Sequence, residues 1–199
     1  LGHNDKKRTL FEDCVSHIFE KIKSFSVRET KNSGIISLPS KKYVTCYSDF
    51  EDEQRRMYEE VQKEMTTTIH RGDFSILDES QDSLKRLLRL VQVASNPRLL
   101  DDHYDSISGK EQILDDLIHD IIQRNEKVIV WSSFTENIDL FCRKYKQYGA
   151  VKITGKMAVE DRGRSVDSFK HGEAKILFAT PQSAKEGLTL TVANNCVFY

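Results

Sequence analysis

From Ser108 to Tyr199 the chain alternates short apolar runs with amphipathic stretches across short connections, and this pattern limits its possible folds more than any other feature. Lys127–Trp131 reads as a strand, Thr135–Tyr148 as a helix, Ala150–Ile153 as a strand and Val159–Lys170 as a helix. A strand at Lys175–Ala179, a short helical turn and a last strand at Cys196–Tyr199 follow. Strands separated by helices in this way pair in parallel through right-handed crossovers. In Val128-Ile129-Val130-Trp131 every position is apolar, which suits a central strand buried on both faces. Ser108 and Glu111 form a capping box ahead of Ile113, Leu114, Leu117, Ile118, Ile121 and Ile122. The fold class is α/β, a parallel sheet flanked by helices.

The part before Ser108 has a different texture. Leu10, Phe11, Cys14, Val15, Ile18, Phe19 and Ile22 make a helical stripe within Leu10–Phe25. Lys41–Ser48 reads as a strand. Glu51–Met65 reads as a helix with Met57, Tyr58, Val61 and Met65 on one face. Thr66–Asp82 is polar and poorly patterned, a loop or an insertion. Leu84, Leu87, Leu88 and Val91 repeat at helical spacing until Pro97 stops them. Ser95–Gly109 is the candidate linker, so the chain divides into a mainly helical region, 1–107, and an α/β domain, 108–199.

Composition excludes more than it identifies. The 30 Lys and Arg nearly cancel the 31 Asp and Glu, so the total charge carries no nucleic-acid signature. Cys14, Cys46, Cys142 and Cys196 are too scattered for a zinc site or a disulfide framework. They read as reduced, mostly buried thiols of a cytoplasmic protein, or a nuclear one in a eukaryote. No apolar run approaches the ~20 residues of a membrane helix, so no membrane association is expected. The histidines, His119 among them, stand without partners at metal-ligand spacing and read as structural, and no metal site is expected.

In an open parallel sheet, ligands bind beyond the carboxyl ends of the strands. Three such ends carry similar residues here: Ser132-Ser133-Phe134-Thr135, Thr154-Gly155-Lys156, and the loop Thr180–Gly187. Hydroxyls, small residues and exposed backbone N–H groups suit phosphate oxygens. Any one of these loops could simply be a helix cap or a turn, but three on one edge favour a binding role. Gly149–Met157 imitates a phosphate loop, yet it has five residues between its glycines instead of four, and Met157 stands where Ser or Thr would hold magnesium. Arg143, Lys144, Lys146, Lys152 and Lys156 form an acid-free run with Tyr145 and Tyr148 interleaved, and Lys85, Arg86, Arg89 and Arg98 form another. Each is either a patch that tracks a nucleic-acid backbone or a solvated face balanced by acids nearby in space.

Taken in order, these segments resemble the carboxyl-terminal RecA-like lobe of Snf-type (Swi/Snf-related) ATP-dependent DNA translocases of helicase superfamily two. The resemblance runs from about Val27 to the last residue. RETKNSGIISLPSKK is similar to the segment leaving the first ATPase lobe, and LRLVQVASNPRLL to the helix ending in Asn-Pro or Asn-His-Pro. SGKEQILDDLI resembles the start of the second lobe, VIVWSSFTENID motif IV, and ATPQSAKEGLTLT motif V. Gly155, Arg162 and Phe169 keep the family's spacing of six intervening residues.

The resemblance implies a second helicase lobe preceded by a mainly helical segment and truncated before motif VI. It places Ser132, Ser133, Thr154, Gly155, Lys156, Thr180 and Ser183 at double-stranded DNA, and Lys185, Glu186 and Gly187 at the nucleotide cleft. ATP and magnesium would serve the complete motor, and none is expected in this chain alone. The Walker A and DExH elements would belong to a first RecA-like lobe, the partner of this one, so the isolated chain is expected to be inactive. Motif V departs from the family, with Ala184-Lys185 where Gly-Gly is usual and Thr189 where Asn is usual. Two other readings stay open: a binding or regulatory module that keeps the fold without the motor, and a small-molecule α/β enzyme. The lack of a clustered acid, base or nucleophile counts against the enzyme.

Overall fold

A computed structural model describes residues 2–26, 40–63, 67–71, 74–78, 83–184 and 188–199. The chain divides into two compact units, Leu1–Thr45 and Cys46–Tyr199. The first contains helix α1, Gly2–Ile22, as the apolar spacing predicts. Leu10, Phe11, Ile18 and Phe19 of its stripe are exposed. The predicted strand Lys41–Ser48 forms no regular element, and Tyr43, Val44 and Tyr47 are exposed. β-branched and aromatic residues favour a strand only where a neighbouring surface packs against them.

The second unit opens with helix α2, Asp52–Lys63, which buries Met57 and Val61; Met65 lies outside the described residues. Within Thr66–Asp82, expected as a loop or an insertion, two strands form. Strands β1 (Thr67–Arg71) and β2 (Phe74–Asp78) pair antiparallel, with Arg71 opposite Phe74. Gly72-Asp73 falls between them in the sequence, a dipeptide suited to a two-residue hairpin connection. Helix α3, Ser83–Ser95, stops before Pro97 as predicted. Its stripe Leu84, Leu87, Leu88 and Val91 is exposed, whereas Val93 is buried against Met57, Leu100 and Tyr104.

The candidate linker Ser95–Gly109 is packed. Asn96, Pro97, Leu99, Leu100, Tyr104 and Ser108 are buried, and the Asn96 carboxamide caps the 3-10 turn Pro97–Leu99. Gln54, itself buried, donates to the Val93 carbonyl at 2.9 Å and accepts from the Gly109 amide at 3.3 Å. Helix α4, Gly109–Gln123, is capped by Ser108, whose hydroxyl accepts from the Glu111 amide. Only this half of the capping box forms as drawn, because the Glu111 carboxylate turns to Arg98 and Lys144 at 2.8 and 2.7 Å.

The alternation then gives strand β3 (Val128–Trp131), helix α5 (Thr135–Lys144) and strand β4 (Ala150–Ile153). Helix α6 (Val159–His171), strand β5 (Ile176–Ala179), the single turn α7 (Pro181–Ala184) and strand β6 (Asn195–Phe198) complete it. The four strands β3 to β6 are parallel, in the order β4-β5-β3-β6. Val128 and Val130 face one core with Leu114, Ile118, Ile138 and Phe141 from α4 and α5. Ile129 faces the other, with Ile153, Leu177 and Phe169 of α6. The central strand is buried on both faces, with helices on both.

The cysteines correct the sequence reading. Cys14, Cys46 and Cys196 are exposed and only Cys142 is half-buried; all four are free thiols. Cys196 lies on β6 at the end of the sheet order, paired with β3 on one side, and its sulfur accepts from the Trp131 indole at 3.0 Å.

Candidate nucleic-acid interface

Strand register builds the site. Trp131 pairs with Ala179, and Ile153 pairs with the same Ala179. The next residue on each strand, Ser132, Thr180 and Thr154, therefore leaves the sheet at one level and on one edge. Two ladder bonds carry the alignment past the strands: Ser132 N donates to Ala179 O at 3.1 Å, and Thr180 N to Ile153 O at 3.3 Å. All three residues are buried, so their hydroxyls shape the loops from beneath.

The residues just beyond them form the accessible rim. Ser133, Gly155 and Lys156 are exposed and Ser183 is half-buried. The Thr180 and Ser183 hydroxyls lie 2.6 Å apart, and Ser183 N donates to Thr180 O at 3.0 Å, which closes the turn. A Cβ on Gly155 would sit 3.6 Å from the Ser183 hydroxyl, so the second and third loops touch. Ala184 turns inward to the Ile129–Phe169 core. Lys185, Glu186 and Gly187 lie outside the described residues.

Neighbouring acids in space reduce the basic runs. Lys144 pairs with Glu111 and with Asp115 at 2.8 Å. Lys152 pairs with Asp139, the motif IV aspartate, at 2.5 Å. Arg98 is held by Glu111 and by the Tyr104 and Ser106 carbonyls. Tyr145 donates to Asp115, and burial, with that carboxylate beside it, pushes the phenol well above its ordinary range. These groups brace α4 against α5. Among the described residues, Arg143, Lys146 and Lys156 make no ion pair, and of these Lys156 stands on the strand-end edge.

Two features escaped the sequence reading. Asn137 is fully buried on α5 and bonds Ser95, Asn96 and Ser132; the signal was a carboxamide next to Ile138 on an apolar helix face. The other is the Glu111 junction, where one carboxylate serves an arginine 13 residues before it and a lysine 33 residues after it.

Among the described residues, the accessible part of the edge presents Ser133, Gly155, Ser183 and Lys156. The decoy Gly149–Met157 is occupied by β4, and the described residues contain no group of three acidic, histidine or cysteine side chains placed to hold a metal ion.

The parallel sheet with helices on both faces is the fold of a RecA-like lobe. Residues 109–199 match the helicase conserved C-terminal domain. An ATP-dependent DNA helicase of Arabidopsis thaliana, DDM1, is 24% identical over 93% of this chain. The chain spans only 26% of that relative's length. The C-terminal domain of the Sulfolobus solfataricus SWI2/SNF2 ATPase superposes with a TM-score of 0.61 at 18% identity, over 77% of this chain and 69% of that one. The core of the same ATPase, solved in complex with double-stranded DNA, gives 0.63 at 21% identity over 92% and 40%. Residues 109–199 thus carry a helicase C-terminal domain, with the fold of the carboxyl-terminal lobe of Snf-type ATPases.

Proposed function

We propose that this chain is the second motor lobe of an ATP-dependent translocase on double-stranded DNA. The Ser132–Thr135, Thr154–Lys156 and Thr180–Ser183 loops hold the phosphates of the tracked strand. Lys185, Glu186 and Gly187 face a nucleotide cleft completed by a first RecA-like lobe. The observation that carries this reading is the register that aligns three hydroxyl-rich strand ends on one edge, with Lys156 exposed upon it and in no ion pair among the described residues. The structure of a SWI2/SNF2 ATPase core in complex with double-stranded DNA supports the choice of partner. ATP and magnesium bind with the first lobe; this lobe's residues bind DNA and close. Residues 1–107 act as the segment between the two lobes, and the setting is cytoplasmic, or nuclear in a eukaryote.

A second reading, a binding or regulatory module without a motor, draws on Ala184. Its methyl fills the second core where the family usually has glycine. ATP hydrolysis separates the two. This chain alone should show no turnover, with or without DNA, because the phosphate-binding lysine and magnesium ligands of such motors belong to the first lobe. The full-length protein should hydrolyse ATP faster with duplex DNA. Thr180→Ala should lower that stimulation more than the basal rate, because it frees Ser183 from its 2.6 Å partner. A full-length protein that DNA does not stimulate would favour the regulatory module.

A further inference from the structure

The Ser132–Thr135 loop is held by more than its own strand. Asn137, completely buried, stands in the first turn of α5 and donates from Nδ2 to Ser95 Oγ at 3.0 Å and to Ser132 Oγ at 3.4 Å. Its Oδ1 accepts from Asn96 Nδ2 at 2.8 Å. Ser132 Oγ in turn accepts from the Phe134 amide at 3.4 Å, and Phe134 is the N-cap of α5 without a side-chain cap of its own. From the other side, Tyr199 donates to the Ser95 carbonyl at 2.8 Å. Ser95, Asn96, Ser132 and Asn137 are all buried. A buried carboxamide with three bonded partners is worth keeping only if every member stays satisfied, and this one spans two loops far apart in sequence.

We propose that Asn137 is the positioning residue for the phosphate-contacting loop, tying Ser132 and Phe134 to the end of α3. It never touches DNA itself. Its bonds fix where Ser133 stands relative to Lys156 and Ser183, and they make the α3 terminus and the DNA edge move together. The role in DNA binding rests on the function proposed above; the positioning does not.

The test uses the whole 199-residue chain with two variants, Asn137→Leu, which keeps size and removes all three bonds, and Ser95→Ala, which removes one partner remote from the rim. Hydrogen exchange is followed amide by amide, beside duplex-DNA titrations that include Ser133→Ala. The Phe134 amide should exchange about tenfold faster in Asn137→Leu and about threefold faster in Ser95→Ala, while Val128–Trp131 stay as protected as in the wild type. Ser95→Ala should also weaken DNA binding, and add nothing once Ser133 is alanine. If Asn137→Leu fails to fold, Ser95→Ala decides alone. Unchanged exchange at Phe134, or an equal rise along Val128–Trp131, overturns the proposal. Faster exchange at Phe134 with unaltered DNA affinity upholds the positioning and sinks the assignment of this loop to DNA.

Discussion

Gly109 shows what one residue settles. A Cβ built there would lie 1.9 Å from the Asp49 carbonyl oxygen, so the backbone before α2 passes where a side chain would be. The glycine of Ser108-Gly109-Lys110 is thus a close approach, with Gln54 fixing the same amide from beneath. Gly109→Ala should cost about 1–3 kcal/mol, the usual penalty of overpacking, and the urea midpoint should fall without a change in slope. A variant as stable as the wild type would mean that the Cys46–Asp52 backbone yields freely. Sequence could reveal the glycine but not the carbonyl over it. Ser132, Thr154 and Thr180 teach the same lesson: their residue types predicted a polar edge, yet only coordinates separate the buried supports from the exposed Ser133 and Lys156.

At the scale of elements, Glu51 makes a pH-dependent join. Its carboxylate accepts from the Glu53 and Gln54 amides, each at 3.1 Å, and from the Tyr104 hydroxyl at 2.8 Å, linking the start of α2 to the packed segment after α3. Burial alone would raise its pKa, but those amide bonds and the Tyr104 hydroxyl outweigh it and bring it below 4.5. A carboxyl depressed by folding adds stability above its unfolded pKa, and that stability is lost as pH falls through the lower folded value. Thermal melts from neutral pH down through the carboxylate range should therefore show Glu51→Gln less stable above pH 4.5, with the gap closing in acid. A constant gap across pH would assign the loss to packing.

Elements with helical periodicity or short connections were legible in sequence because the signal is local. The antiparallel pair of Thr67–Arg71 and Phe74–Asp78 is hard to read from sequence because Thr67–Arg71 is mostly polar and neither strand alternates strictly. Lys41–Ser48 had the composition of a strand and forms none, because ladder bonds come from a neighbour that composition does not name. The stripe Leu84–Val91 predicted its helix correctly, but not that Val93 would carry the burial.

For the whole molecule, the α/β class followed from alternation, while the alignment of three strand ends depends on parallel register, which crossover helices set and no local pattern encodes. The proposed function requires that edge to grip phosphates without regard to base sequence. The direct measurement is the affinity of this chain for duplex DNA across a range of salt, in wild type and Lys156→Ala, on two unrelated sequences. Binding should be weak, equal on both duplexes and steeply salt-dependent, with a log–log slope lower by about one unit in the variant. An unchanged slope in Lys156→Ala, or affinity that depends on base sequence, would contradict that function.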